Sequence, residues 1–307
     1  VSTLGVIFSA TMLAQTVRST VPYACAALGG VWSERSGVVN IALEGKLLVG
    51  AFTSIAAAHA SGSAWAGVLA GIGAGALVGL LHAAVSVWGR VDAIVSGVAI
   101  NMVALGGTRA TLRALYASSS NSPTIEAFGR ARAADGGEAL VAAVADPLVV
   151  LAVLAVVLTV LVLGRTRFGL RLRACGEAPD AAAAAGVRVR LVRAAAVIVG
   201  GAVAGLGGVA LSYEQHQFQS GMSGGRGFIA LAAVIVAGWR PGRATLACVA
   251  FAALDALQLV LQTTSAALRD ALQMLPYVAT LVVLAVLSQG KGRAGPPAGL
   301  GVPPPEE

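Results

Sequence analysis

Charge is scarce in this chain. Asp, Glu, Lys and Arg make up only 11% of its 307 residues, against about a quarter in an ordinary soluble domain. Lysine is nearly missing, with Lys46 and Lys291 the two present, and neither closes a G-x-x-x-x-G-K-[ST] sequence, so the chain does not bind ATP through a Walker A loop. Aromatic residues are 5%, too few to supply stacking platforms for bases. The formal net charge of +7 therefore does not mark a nucleic-acid binder, because its basic residues sit between apolar runs. Cys25, Cys175 and Cys248 form no C-x-x-C pair, and His59, His82 and His216 are equally scattered. That dispersal excludes a disulfide scaffold, offers no metal-ligand spacing and points to no cofactor.

What fills the space is apolar. Hydrophobic residues are 57% and the mean hydropathy is +0.83, more than water can cover in a chain of this length. Runs over 64–88, 147–164, 194–212, 243–262 and 271–288 approach or exceed the ~18 residues that suggest a membrane span. The expected fold is all-α: a polytopic transmembrane bundle of about eight to ten spans, forming one domain over 1–289. Glycine is abundant at 39 residues, and Gly67, Gly71, Gly75 and Gly79 recur every fourth position. They share one helix face, a close-approach ridge of the GxxxG type, and Gly201 and Gly205 begin a similar face.

Orientation follows from arginine. Seven of the 21 basic residues (Arg165, Arg167, Arg171, Arg173, Arg188, Arg190 and Arg193) lie in the loop 164–193, which the positive-inside rule puts in the cytoplasm. Threading forwards, 194–213 leads out, 226–239 returns, 243–262 leads out and 271–288 returns. Threading backwards, 147–164 leads in, 113–146 is an external loop, 91–112 leads out, 64–88 in and 38–58 out. The first 35 residues are one interrupted span or two short ones split near Arg18 and Pro22. The Gly/Pro-rich tail 290–307 reads as disordered.

Four interruptions of the apolar pattern carry the candidate chemistry. The segment from Ser33 to Lys46 places Asn40 and Glu44 on one face at the start of a span, where polar groups are tolerated if they line a water-filled path. A second polar segment, Ser212 to Phe228, leads into a short, glycine-interrupted run, a pointer to a translocation site. Its Gly221-Met222-Ser223-Gly224 resembles the G-x-S-G of rhomboid-type intramembrane proteases, but the His base that follows the Ser in that family has no counterpart after Ser223, so proteolysis is not expected. Within the basic loop, Pro179, Asp180 and Gly186 fit the start, first turn and end of a short alanine-rich helix, suited to docking into a partner. Asp255 stands in mid-span and is expected to face a polar partner inside the bundle.

Taken together these segments resemble the membrane permeases of bacterial ABC importers, in the nucleoside and simple-sugar branch related to ribose and branched-chain amino acid permeases. The resemblance rests on Ala26-Ala27-Leu28-Gly29-Gly30, on Ser33 through Gly45, on Ser96-Gly97-Val98-Ala99-Ile100-Asn101 with Ala104-Leu105-Gly106, on Gly176-Glu177-x-Pro179-x-Ala181-Ala182 ending at Gly186, and on Gly225 through Ile235. It covers roughly residues 10–290. It implies a type II importer permease in the bacterial plasma (inner) membrane, with no enzymatic activity of its own. The implied partners are an ABC ATPase subunit, a second permease subunit in a heterodimer, an extracytoplasmic solute-binding (lipo)protein and the lipid bilayer, without nucleic acid. The implied solute is small and polar, a nucleoside first, a simple sugar or branched-chain amino acid otherwise. A stand-alone secondary transporter or channel is the competing class. The substrate path is expected at Asn40, Glu44, Asn101 and Arg226. Coupling to the ATPase is expected at Gly176, Glu177, Pro179, Ala182 and Gly186. Position 46 departs from the family, which usually has an apolar residue such as Met where this chain has Lys.

Overall fold

A chain in hydrocarbon must satisfy its backbone N–H and C=O groups internally, which selects helices. The computed structural model describes residues 9–128, 137–264, 274, 278 and 295–305. Among them are eleven α-helices and a single isolated antiparallel bridge. They are α1 (Ala10–Arg35), α2 (Leu43–Ser61), α3 (Ala64–Ala83, continued by a π-helical turn Ala84–Trp88), α4 (Ala93–Tyr116), α5 (Gly137–Val144), α6 (Pro147–Arg165), α7 (Arg167–Glu177), α8 (Pro179–Ala184), α9 (Val189–Glu214), α10 (Arg226–Val236) and α11 (Pro241–Thr264). Five of these are long and apolar enough to cross a membrane: α3 with its π turn, α4, α6, α9 and α11. The protein is thus a multi-pass membrane protein. The expected span over 271–288 lies outside the described residues apart from 274 and 278.

The ambiguity at the start of the chain resolves into one helix. α1 runs unbroken for 26 residues with Pro22 inside it. Its Ser9 side chain caps the first turn by accepting from Met12 N. α1 lies antiparallel to α9. At one end Gln15 donates to Glu214 at 2.6 Å, and further along Gly29 and Gly200 meet backbone to backbone. The far end of α1, at Arg35, reaches the arginine-bearing loop, where Gly176 abuts the Arg35 carbonyl.

The glycine ridge of α3 meets the glycine face of α9. A Cβ on Gly75 would stand 2.7 Å from Gly205 Cα, and one on Gly79 would stand 3.0 Å from Ile198 Cα. No real side chain fits there, so both helices approach to backbone contact, which strengthens dispersion where lipid gives no hydrophobic drive. Gly73, on the other face of α3, meets nothing within 4 Å.

At the end opposite the arginines two polar loops are stitched together. Ser122 N donates to Phe218 O at 2.9 Å, Ile125 N to His216 O at 2.9 Å and Ser220 N to Ser120 O at 2.8 Å. This pairing places the segment before α10 against the loop that follows α4. It thereby fixes where the short helix α10, only 11 residues long, enters the bundle.

Candidate functional site

α10 opens without a cap of its own. Its N-cap is Gly225 at φ +82, which has no side chain to offer, so the free N–H groups of the first turn need an acceptor from elsewhere. Glu44, in the first turn of α2, supplies it. One carboxylate oxygen accepts from Gly225 N at 2.8 Å and the other accepts from Gly227 N at 2.8 Å. A negative group at a helix N-terminus also meets the positive end of the helix dipole. The approach requires Gly227, because a Cβ there would stand 2.6 Å from Glu44 Cα.

Asn101 of α4 does for α2 what Glu44 does for α10. Its Oδ1 accepts from Gly45 N at 2.8 Å and its Nδ2 donates to Ile41 O at 2.9 Å. Glu44 and Asn101 border a common open cavity of about 320 Å³, lined also by Leu48, Met102, Leu105, Gly221, Ser223, Gly224 and Phe228. One carboxylate, one amide and the Ser223 hydroxyl on a mostly apolar wall give the cavity a few polar points in a non-polar surround.

Arg226, the first residue of α10, turns away from this cavity. Its Nη2 forms an ion pair with Asp255 Oδ2 of α11 at 3.1 Å, its Nη1 donates to Met222 O at 3.2 Å, and its guanidinium lies 5.8 Å from the Tyr23 ring centre. Asp255 therefore has the polar partner that its mid-span position demands. The N-terminal turn of α10 is gripped from both sides, by Glu44 of α2 and by Asp255 of α11.

Asn40 stands apart again, fully buried near the arginine-bearing end. Its Nδ2 donates to Ser33 Oγ at 2.8 Å, and its Oδ1 accepts from Lys46 Nζ at 2.8 Å. Its backbone N–H donates to Glu34 Oε1 at 3.4 Å, and the second oxygen of Glu34 accepts from Trp239 Nε1 at 2.6 Å. A continuous buried chain thus runs Trp239–Glu34–Asn40–Lys46, tying the turn after α10 to α1 and α2. Lys46 and Glu34, both buried, thus find hydrogen-bond partners in one network, which is what buried polar groups require. His82 lies alongside, between Ser96 Oγ at 3.1 Å and Val39 O at 3.2 Å.

Of the four expected path residues, then, Glu44 and Asn101 share a cavity, Arg226 lies behind it and Asn40 belongs to the buried chain. The partners Glu34, Trp239 and Lys46 escape sequence reasoning as site residues. The one available signal is Lys46 itself, a lone lysine inside an apolar helix that requires a polar neighbour.

The expected docking segment is a helix–hinge–helix. α7 ends at Glu177, Ala178 (φ −145, ψ 81) leaves the helical conformation, and α8 begins with Pro179 at its first position. Gly186, at φ +81, donates to Ala183 O at 2.8 Å, and Val187 N donates to Ala182 O at 3.0 Å, closing the helix. Pro179 and Ala182 are buried against the body, and Ala182 packs with Cys175 and Val189. Glu177, Asp180, Ala181, Ala184, Ala185 and Gly186 are exposed. Gly176 is buried beneath the end of α1.

Residues 12–287 match the family model described as the branched-chain amino acid transport system, permease component. The guanosine ABC transporter permease protein NupQ of Bacillus subtilis is 36% identical, over 92% of each chain. The nucleoside ABC transporter permease protein NupC of Lactococcus lactis is 33% identical over 93% of each. The putative glucose ABC transporter permease protein TsgC13 of Haloferax volcanii is 35% identical, over 85% of this chain and 80% of its own. No solved structure matches the chain.

Proposed function

Because this chain belongs to the family of branched-chain amino acid transport system permease components, and is therefore a membrane transport permease, we propose that it serves an ABC importer whose solute is a nucleoside. The observation that carries the solute is the likeness to guanosine and nucleoside permeases over more than nine-tenths of each chain. The likeness to a glucose-type permease, over less of the chain, makes a sugar the second reading.

In this proposal the cavity beside Glu44 and Asn101 is part of the solute path. Asn40 and Arg226 hold the elements around it, through Lys46 and Asp255 respectively. The loop between α6 and α9 lies in the cytoplasm by the positive-inside rule. There α8, with Gly176, Glu177, Pro179, Ala182 and Gly186, seats an ATPase subunit that supplies the energy. A second permease subunit and an external solute-binding protein complete the machine. α8 suits the seat because its exposed face carries only Asp180 and small residues, so another protein surface can approach it closely.

The test is reconstitution. The permease is purified with its ATPase and second permease subunit, placed in proteoliposomes and supplied with binding protein. Uptake of radiolabelled guanosine and glucose is then followed with and without ATP. The expected result is guanosine uptake that requires both ATP and binding protein. Full uptake by the permease alone in ATP-free vesicles would make it a stand-alone carrier. ATP-driven uptake of glucose but not guanosine would move the solute to the second reading. Gly186→Pro should leave insertion intact and abolish ATP-driven uptake, because proline removes the N–H to Ala183 and cannot adopt φ +81.

A further inference from the structure

Residues 295–305 read Gly-Pro-Pro-Ala-Gly-Leu-Gly-Val-Pro-Pro-Pro, a composition that by itself carries no element. In the fold they are seated. Every N–H from Ala298 to Val302 has an acceptor, and the flanking prolines have none to satisfy. Ala298 N donates to Glu177 Oε2 at 3.2 Å, Gly299 N to Gly176 O at 2.8 Å and Gly301 N to Gly37 O at 2.9 Å. Leu300 N and Val302 N close local turns onto Pro297 O at 2.9 Å and Gly299 O at 3.2 Å. Two carbonyls are also taken: Arg193 Nη1 donates to Val302 O at 2.6 Å and Arg190 Nη2 to Pro305 O at 3.3 Å.

The fit is steric as well as polar. Pro297, Gly299 and Pro304 are buried. A Cβ on Gly299 would stand 2.8 Å from Gly176 O and 3.0 Å from Pro179 Cδ, and Gly301 holds φ +80. An unattached tail would leave these N–H groups to water and would not require glycine at both positions.

The anchors matter more than their number. Gly176 and Glu177 form the α7–α8 junction. Gly37 lies in the α1–α2 connection, three residues before Asn40 and its buried chain. Arg193 also donates to Cys175 O at 3.0 Å, so it clasps the junction and the tail together. We infer that residues 297–305 are a strap that ties the α7–α8 junction to the α1–α2 connection, so that displacement of α8 by a docked ATPase is passed to the Asn40–Lys46 chain instead of being absorbed at the Ala178 hinge. The inference rests on the proposed role of α8 as the ATPase seat.

The experiment uses the full importer complex with two variants. One chain stops after Ala294. The other carries Gly301→Val, which a left-handed φ resists and which leaves the rest of the tail in place. Two quantities are measured: guanosine imported per ATP hydrolysed in proteoliposomes, and hydrogen exchange over residues 174–187. For both variants we expect retention of the ATPase, continued hydrolysis, a roughly tenfold fall in guanosine imported per ATP, and roughly tenfold faster exchange over 174–187. Unchanged exchange overturns the strap, because then the tail holds nothing. Faster exchange with an unchanged import ratio overturns its transmitting role. Loss of the ATPase from both variants also overturns that role and makes the tail part of the docking surface. Failure of the proposed function looks different: the unaltered complex itself fails to import with ATP, and the exchange comparison still decides whether the tail holds the junction.

Discussion

Glu44 offers the sharpest test of how this site is built. Its two carboxylate oxygens accept the N–H groups of Gly225 and Gly227, both at 2.8 Å, and the N-cap residue of α10 has no side chain to do so. Glu44→Ala removes both acceptors and leaves two N–H groups of a membrane helix unpaired. A hydrogen bond to a charged group contributes about 1.5–3 kcal/mol, and the half-buried position of Glu44 beside a cavity favours the lower end, so the loss is about 3 kcal/mol. Glu44→Gln keeps one acceptor but turns an NH₂ towards the second backbone N–H, and it removes the charge opposite the helix dipole. Its cost is about 2 kcal/mol. Glu44→Asp, one methylene shorter, reaches a single N–H and should fall close to Gln. The assay is the thermal unfolding midpoint of the detergent-purified complex, measured beside the initial rate of solute uptake over a range of solute concentrations. The expected order of stability is wild type, then Gln and Asp together, then Ala, with maximal uptake falling in the same order. Two outcomes refute the reasoning. Wild-type midpoints in both Gln and Ala would show that α10 needs no clamp. A raised half-saturating concentration with an unchanged midpoint would make Glu44 a solute ligand and not a positioning group.

Other expectations follow from the same geometry. Trp239→Phe removes the 2.6 Å donor to buried Glu34 and should lower stability by about 2–3 kcal/mol, while Glu34→Gln, which keeps an acceptor for the indole, should cost less; equal unfolding midpoints for the two variants would contradict this. Gly75→Ala should destabilise by roughly 1–3 kcal/mol, because its methyl would overlap the backbone of Gly205, whereas Gly73→Ala should be neutral. Thermal melts of the pair check this, and equal midpoints would dismiss the close helix crossing. Lys46→Met should fold and hold a midpoint at or above that of the wild type, since removing a fully buried ammonium outweighs the single hydrogen bond it gives Asn40; a clear drop in the midpoint would show that the cation is needed where it stands.

Much of this protein is legible along the chain because the bilayer imposes a local rule. Low charge and long apolar runs demand helices, whatever those helices later touch, so α3, α6, α9 and α11 lie where the runs predict them and α4 where the threading puts a span. The four-residue glycine repeat of α3 is legible for the same reason, since helical pitch alone puts those glycines on one face. Pro179 and Gly186 mark the ends of α8 through φ preferences that need no neighbours. Pairing is another matter. The sequence shows that Glu44 and Arg226 are costly in hydrocarbon, but not that one caps α10 while the other turns back to Asp255, because those partners lie 181 and 29 residues away. Lys46 looks like a departure until Asn40 is folded against it. The tail shows the limit most clearly. Its glycines and prolines have no local preference for order, and they are seated only because the α7–α8 junction and the α1–α2 connection meet beneath them and present carbonyls at hydrogen-bonding distance. Helices and their depth are decided by solvent and spacing; which polar group answers which is decided by packing, where an unpaired donor has no water to turn to.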